Sequence, residues 1–159
     1  MSKAQATADK ARRLIAQNRR ALHDFTIEDH LEAGISLKGS EVKSCRAGRV
    51  TLKDSHVQVE RGEAFLLNSH IAEYEAANRF NHEPTRARKL LLHRKEIDRL
   101  EVRLRQQGQS AVPLSFYFKD GRVKVDIGIG KGKTYADRRD TVREREAKRE
   151  IERTMRRRR

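Results

Sequence analysis

Residues 112–129 have the sequence VPLSFYFKDGRVKVDIGI, and they predict a β-hairpin. An apolar run from Val112 to Phe118 is followed by Lys119-Asp120-Gly121, and Asp-Gly is a strong signal for a tight turn. The second strand, Arg122–Ile129, alternates between apolar and polar or small residues, as a half-buried strand does. Its apolar face consists of Val123, Val125, Ile127 and Ile129.

Other short strands and one clear helix flank this hairpin. Alternating or apolar stretches predict strands over 24–30, 50–59 and 63–68, the last two joined by an Arg61-Gly62 turn. A helix is predicted over His93–Gln107, because Ile97, Leu100 and Leu104 fall on one helical face. Short strands that are separated by turns and close on themselves indicate a mainly β fold, a small antiparallel β-barrel with appended α-helices.

Two connecting segments have signals of their own. Ser40 is the predicted N-cap of a short helix that ends near Gly48. Residues 74–88 have little periodicity and predict a long loop, and long loops in compact domains are often functional.

The positive charge is concentrated at the two ends of the chain. The net charge is +14, of which residues 1–20 hold +5, residues 21–130 only +2 and residues 131–159 +7. This division predicts a basic N-terminal arm (1–17), a nearly neutral body (18–130) and a basic C-terminal tail (131–159). The tail has only Val142, Ile151 and Met155 as large aliphatic residues, so it is predicted to be largely disordered alone and helical when bound to a polyanion.

Catalytic and metal-binding patterns are missing from the sequence. The six histidines contain no pair at i, i+4 spacing, and the single cysteine, Cys45, rules out an internal disulfide. Gly128-Ile129-Gly130-Lys131-Gly132 lacks the full spacing of a phosphate-binding loop and is predicted to be a strand end. We therefore expect no enzymatic activity, metal or cofactor. No apolar run is long enough to cross a membrane, and we expect a cytoplasmic protein.

Three basic features favour a nucleic-acid partner. They are the segment from Arg12 to Arg20, the run Arg86-Ala87-Arg88-Lys89, and the tail from Lys131 onward. Lysine and arginine side chains neutralise phosphates and release counterions. Composition alone supports no more than a polyanion-binding protein.

Several motifs in order give the sequence a resemblance to a known family. They are Asn18-Arg19-Arg20-Ala21-Leu22-His23-Asp24-Phe25, Leu31-Glu32-Ala33-Gly34-Ile35, the stretch Gly39–Arg49, the stretch Asn78–Leu92, Gly121–Val125 and Gly130-Lys131-Gly132-Lys133. Together with Asp137-Arg138-Arg139 and Arg145-Glu146 in the tail, they resemble the SmpB family of tmRNA-binding proteins over about residues 17–153.

The resemblance implies a barrel of the oligonucleotide-binding (OB) type that binds the tRNA-like domain of transfer-messenger RNA (tmRNA). The body substitutes for the missing anticodon arm of this RNA, and the tail probes the decoding centre and the empty mRNA channel of stalled ribosomes. Implied partners are tmRNA, the RNA of the small ribosomal subunit, and alanyl-tRNA synthetase and elongation factor Tu through charged tmRNA. The chain is expected to act as a monomer.

Site residues follow from the same resemblance. The predicted tmRNA contacts, or their immediate supports, are Asn18, Arg20, His23, Glu32, Lys43, Arg46, Lys89, Leu91, Lys124 and Lys131. The predicted ribosome-binding residues of the tail are Lys133, Tyr135, Asp137, Arg139, Arg143, Arg145 and Lys148.

Alternatives remain open for some of these residues. Glu32 either bonds to a base or a 2′-hydroxyl, orients an arginine, or forms an internal ion pair. His23 either stacks on a base or packs at a strand end, and at least two of Leu90-Leu91-Leu92 belong to the core. The family places an aromatic residue or histidine where this chain has Ala136, so Tyr135 either stacks from a shifted position or the contact is missing.

Two other function classes compete with the rescue factor. A structural ribosomal protein would also have a compact body with basic extensions. An RNA-processing enzyme would need a carboxylate or histidine cluster, which the sequence does not display.

Overall fold

A seven-stranded antiparallel β-sheet organises the chain, whose computed structural model describes residues 12–157. The strands are β1 (Arg12–Gln17), β2 (Phe25–Ile35), β3 (Val50–Thr51), β4 (His56–Glu60), β5 (Glu63–Leu67), β6 (His70–Ile71), β7 (Arg88–Leu91), β8 (Gln109–Lys119) and β9 (Arg122–Gly132). Their order across the sheet is β1-β8-β9-β2-β7-β5-β4, and β3 pairs with β6 in a separate two-stranded sheet.

The predicted hairpin lies near the centre of this sheet. β8 and β9 pair antiparallel, with Phe116 opposite Val125, and the four apolar side chains of the β9 face are buried as predicted. The register of the pair shifts between Pro113 and Ser115. Such an irregularity suits Pro113, because proline has no N–H to give to a regular ladder.

The sheet is open, so the prediction of a closed barrel is wrong. Among residues 12–157, no ladder of hydrogen bonds joins the edge strands β1 and β4. β4 approaches β8 without pairing with it, and the helix Arg94–Arg105 contacts both strands. Ile97 and Leu100 of that helix are buried. Apolar side chains therefore fill the place where a barrel would have strand pairing.

Within residues 12–157, four α-helices and a 3₁₀ segment accompany the strands. They are α1 (Arg19–Asp24), α2 (Gly39–Arg46), the 3₁₀ segment Glu75–Phe80, α3 (Arg94–Arg105) and α4 (Tyr135–Arg157). The start of α3 is as predicted, because the backbone N–H of His93 donates to the Glu96 carboxylate at 2.9 Å. The start of α2 differs: Lys38 is the N-cap, and Ser40 lies in the first turn with its hydroxyl on His82.

The sheet extends beyond the predicted body at both ends. Residues 12–17 of the predicted arm form β1, which pairs with β8 from Arg12 opposite Lys119 to Gln17 opposite Ser115. Residues 1–11 lie outside the described part of the chain. At the other end β9 continues to Gly132, with Lys131 paired to Thr26. The predicted arm and tail therefore each contribute residues to the sheet.

Most of the tail, Tyr135–Arg157, is a helix, and the predicted disorder of the tail is not shown. α4 has 23 residues, a length of about 35 Å at 1.5 Å per residue. Every side chain from Val142 to Arg156 is exposed, which agrees with the small number of aliphatic residues in the tail. No helix within residues 12–157 is long and apolar enough to cross a membrane.

Candidate nucleic-acid interface

An open groove of about 970 Å³ lies where β2, β7 and β9 meet the start of α3. Four of the predicted RNA-binding residues line it: Glu32, Lys89, Leu91 and Lys124. The register explains why they meet, because Gly34 of β2 lies opposite Leu91 on one side and Lys124 on the other. Gly34 has no side chain to fill the space, and a Cβ there would lie 3.1 Å from that of Leu91.

Strand alternation decides which residues of the basic run face the groove. Arg88 and Leu90 of β7 are buried, while Lys89 and Leu91 are exposed. Leu91 is 55% exposed although leucine is usually buried, and Lys89 Nζ pairs with Glu63 at 2.6 Å. The groove therefore presents an apolar side chain between two lysines.

Both arginines of the run Arg86-Ala87-Arg88-Lys89 point inward, and no sequence pattern predicted this. Arg88 is fully buried and its Nε donates to Glu41 at 2.8 Å, while Arg86 forms a second ion pair with the same carboxylate at 2.5 Å. Burial raises the pKa of Glu41, but the two arginines and the Lys38 backbone N–H outweigh it, and the pKa lies below its usual value. These ion pairs connect α2 to the first residue of β7 and to the segment just before it.

Glu32 lies in an internal network, which supports the ion-pair alternative. Its carboxylate accepts hydrogen bonds from the Tyr117 hydroxyl and from Lys119 Nζ, the latter at 3.0 Å. Arg12 forms an ion pair with it at 3.3 Å. Burial raises the pKa of Glu32, yet these three partners outweigh it and the net pKa is lowered. Glu32 is therefore ionised and ties β1 and β8 to the wall of the groove.

Asn18 is used within the fold and supports the next cluster. It is 7% exposed, and its Oδ1 accepts from the Ala21 N–H at 3.1 Å as the N-cap of α1. Its Nδ2 donates to the carbonyls of Leu52 and Pro113. The alternative of immediate support, rather than RNA contact, fits this residue.

α1 presents a second group of predicted residues around Asp24. Arg20 Nε and His23 Nδ1 donate to the Asp24 carboxylate at 3.3 and 3.0 Å. The His23 hydrogen bond lowers the pKa of Asp24, and Arg20 and Arg138 contribute in the same direction against the opposing effect of burial. The backbone N–H of Lys133 donates to the Asp24 carbonyl at 2.7 Å. This group joins α1 to the start of the tail, next to the exposed Lys131.

Lys43 and Arg46 form a third group on the exposed face of α2. The Lys43 ammonium lies 5.3 Å from the centre of the Tyr74 ring. The carbonyl of Arg46 accepts a hydrogen bond from Arg13 at 3.3 Å, and its side chain is exposed.

Of the predicted tail residues, one caps the helix, one is half-buried and the others are exposed. Asp137 accepts hydrogen bonds from the Thr134 backbone N–H and hydroxyl, which lower its pKa and form the N-terminal cap of α4. Tyr135 is 76% exposed, with the Arg139 guanidinium 5.7 Å from its ring centre. Lys133 is half-buried and donates to Thr141 at 3.2 Å. The remaining predicted tail residues, all exposed, are Arg143, Arg145 and Lys148.

The three groups are not a single patch. The groove lies near Gly34 and Lys124, whereas the α1 group lies near Phe25 and Gly132, at the opposite end of the β2–β9 pair. The nine residue-to-residue steps from Phe25 to Gly34 span about 30 Å in an extended strand. A single ligand that touches both ends would have to span at least this distance.

Sequence reasoning missed several groove residues. His30, Glu63 and His93 also line the groove, and His30 Nδ1 donates to Asp126 at 3.3 Å. His30 lies on β2, Glu63 on β5 and His93 at the start of α3, and the pairing of β7 with both β2 and β5 brings them together.

Cys45 is buried in the core, and its burial raises the pKa of the thiol to about 12. No group of three or more His, Cys, Asp or Glu side chains suited to a metal ion occurs in the part of the chain that the structure describes.

Comparisons with known proteins place the chain in a family. The family model described as "SmpB protein" matches residues 15–157. An SsrA-binding protein of Halalkalibacterium halodurans is 56% identical over 143 residues, covering 90% of this chain and 93% of that protein. Another from Symbiobacterium thermophilum is 55% identical over 143 residues, covering 89% and 90%.

A solved structure agrees with these relatives. A chain of the structure described as "tmRNA-SmpB: a journey to the center of the bacterial ribosome" is 45% identical and superposes with a TM-score of 0.66. The match covers 80% of this chain and 94% of that one. The chain belongs to the SmpB family.

Proposed function

We propose that the chain binds the tRNA-like domain of tmRNA and delivers it to stalled ribosomes for trans-translation, the rescue process that tags incomplete peptides. The observation that carries the proposal is the separation of the groove from the α1 group by about 30 Å along the β2–β9 pair. A folded RNA offers phosphates, 2′-hydroxyls and a few unstacked bases over such a distance. The names of the relatives, SsrA-binding proteins, support this RNA as the partner.

The groove is the proposed contact for an unstacked part of the RNA. Lys89 and Lys124 supply positive charge, and Leu91 offers an exposed apolar surface between them. Glu32 acts as a positioning residue rather than an RNA contact, because its carboxylate already accepts hydrogen bonds from Tyr117 and Lys119. The groups at α1 and α2 give further phosphate contacts through Arg20, His23, Lys43, Arg46 and Lys131.

α4 is the proposed ribosome-binding segment. The body stands in for the anticodon arm, and the exposed helix enters the empty mRNA channel next to the decoding centre. A helix whose side chains from Val142 to Arg156 are all exposed can present its cations to RNA phosphates. Tyr135, exposed and beside Arg139, is the proposed stacking residue in place of Ala136.

The remaining partners follow from the same role. Alanyl-tRNA synthetase and elongation factor Tu act on the acceptor arm of charged tmRNA, and the chain meets them through that RNA as a monomer in the cytoplasm.

A reconstituted tagging reaction tests the proposal. Ribosomes stalled on a message without a stop codon are supplied with charged tmRNA and elongation factor Tu, with and without the chain. We expect tagged peptide only when the chain is present, and a loss of about tenfold or more in tmRNA affinity for the Lys89→Ala/Lys124→Ala double variant, because two phosphate contacts are removed. Arg105→Ala, at the far end of α3, is the matched control. Tagging without the chain would refute the proposed function.

A further inference from the structure

The loop between Tyr74 and Asn81 holds an aromatic side chain in solvent. Phe80, at the end of the 3₁₀ segment, is 75% exposed, and this segment has no buried residue. Its neighbour Arg79 places its guanidinium 5.2 Å from the centre of the Phe80 ring. The fold of the described residues makes no use of this ring as a core side chain.

The loop is held in one shape by its base. The Asn81 side chain accepts from the Tyr74 N–H and donates to the Tyr74 carbonyl, both at 2.9 Å. The next residue, His82, is 2% exposed and donates to the Ile71 carbonyl at 2.9 Å, while the Ser40 hydroxyl bonds to its other ring nitrogen. The exposed ring therefore lies on a loop that hydrogen bonds already hold in one conformation. This reduces the conformational entropy that the loop loses on binding.

A strained residue lies inside the same loop. Asn78 has φ 46° and ψ −121°, a backbone conformation that residues other than glycine rarely adopt. Such strain persists only where the surrounding contacts impose it, and it is concentrated at binding and catalytic sites. Here the imposed conformation sets the direction in which Arg79 and Phe80 leave the loop.

The chemistry around the ring favours a nucleic acid over a protein pocket. The base of the loop rests on α2, where Lys43 covers the Tyr74 ring. Arg49 forms an ion pair with Glu75 at 3.2 Å. A lone aromatic ring beside a guanidinium is the combination on which unpaired bases stack, since every base has a flat face. The flanking Arg79 guanidinium adds a positive charge, which the phosphates of a nucleic acid match and an apolar protein pocket does not.

We infer that Phe80, assisted by Arg79, stacks on an unpaired RNA base and forms a contact separate from the groove at Leu91 and Lys124. The base belongs either to the tRNA-like domain of tmRNA or to the RNA of the small ribosomal subunit. The inference rests on the proposed function, which supplies both RNA partners.

Four substitutions at one exposed position test it. Phe80→Tyr and Phe80→Trp keep a flat ring, Phe80→Leu keeps only apolar bulk, and Phe80→Ala removes both. Each full-length variant is titrated with the purified tRNA-like domain and, separately, with purified small ribosomal subunits. Far-ultraviolet circular dichroism confirms that the fold is retained, as expected for a side chain outside the core.

If Phe80 stacks on a base, the variants with an aromatic ring and the variants without one should differ in their affinity for RNA. Phe80→Leu and Phe80→Ala should weaken binding about tenfold in one of the two titrations, and Tyr and Trp should stay within about twofold of the wild type. The titration that responds identifies the RNA. Lys124→Ala is the comparison for the groove, and its effect should be independent of the residue at position 80.

Two results would overturn the inference while the proposed function stands. One is wild-type affinity of Phe80→Ala for both RNAs. The other is wild-type affinity of Phe80→Leu with weakened Phe80→Ala, which would assign the side chain to an apolar protein pocket on the subunit. If the wild-type chain binds neither RNA, the proposed function itself fails.

Discussion

Glu32 shows how a charged residue of a binding surface acts through its neighbours. Its carboxylate is shared by Tyr117, Lys119 and Arg12, all from strands on the far side of β9. An acidic residue in a groove for RNA would repel phosphate if it were free. Because its charge is compensated within the sheet, Glu32 fixes the groove wall, and Lys124 and Lys89 are the groove residues that we propose as RNA contacts.

The substitution Glu32→Gln tests this role through pH. The folded-state pKa of Glu32 lies below the unfolded value near 4.3. Its stabilisation is therefore complete at pH 7 and disappears as the pH falls through the folded-state pKa. We expect Glu32→Gln to lower the free energy of unfolding by about 1–2 kcal/mol at pH 7 and by much less at pH 3.

Chemical denaturation at the two pH values measures this difference. Glu28→Gln is the control on the same strand, since Glu28 pairs with Arg103 at 2.9 Å near the surface and such pairs contribute under about 1 kcal/mol. Equal losses for the two variants at pH 7, or a loss for Glu32→Gln that persists at pH 3, would contradict the compensated role.

At the scale of elements, the end of β9 is set by a close approach to β2. A Cβ on Gly130 would lie 1.9 Å from the Thr26 carbonyl oxygen, where backbone leaves no room to relax. Gly130→Ala should destabilise the fold by about 3 kcal/mol. Gly132→Ala, two residues along with nothing within 4 Å, should change the free energy of unfolding by less than about 0.5 kcal/mol. Thermal unfolding of both variants measures this difference. Similar melting temperatures would contradict the close approach of Gly130 to Thr26.

α4 is the element whose removal should leave the body intact. Deleting residues 135–159 removes the Arg138–Asp24 ion pair at 3.9 Å, a partly exposed contact worth about 1 kcal/mol or less. We expect a smaller helical signal in circular dichroism, a nearly unchanged melting temperature, retained tmRNA binding and no tagging on stalled ribosomes.

The matched control for this truncation is a cut only four residues earlier. Deleting residues 131–159 also removes Lys131 from its ladder with Thr26 and the hydrogen bond from Lys133 N–H to Asp24. This shorter chain should unfold at a clearly lower temperature. If both truncations melt alike, β9 does not need its last residues and the helix is not an independent element.

What the sequence predicted well are elements with a local signal. The β8–β9 hairpin has its alternation and its Asp-Gly turn, and α3 has its apolar face. β1 was missed because Arg12–Gln17 lacks alternation, and its pairing with β8 is a contact across about a hundred residues of sequence. The inward turn of Arg88 likewise depends on Glu41, which is distant in the chain.

At the scale of the whole molecule, most of the net charge lies in the terminal segments, whereas the body supplies a surface of fixed shape. The net charge of +14 resides largely in the terminal segments, and the body between them is nearly neutral. Counterion release by the terminal segments attracts any polyanion and weakens as salt rises. The groove and the α1 group are held by buried or paired contacts, and their fixed separation can match only an RNA of suitable shape.

The central claim is that this fixed surface selects the tRNA-like domain of tmRNA. It is tested by titrating that domain and an ordinary tRNA against the full-length chain at about 50 and 200 mM salt. We predict weaker binding of both RNAs at the higher salt, with a preference for the tRNA-like domain that persists there. Equal affinities that fall together with salt would contradict the account, because the chain would then be a nonspecific cationic binder.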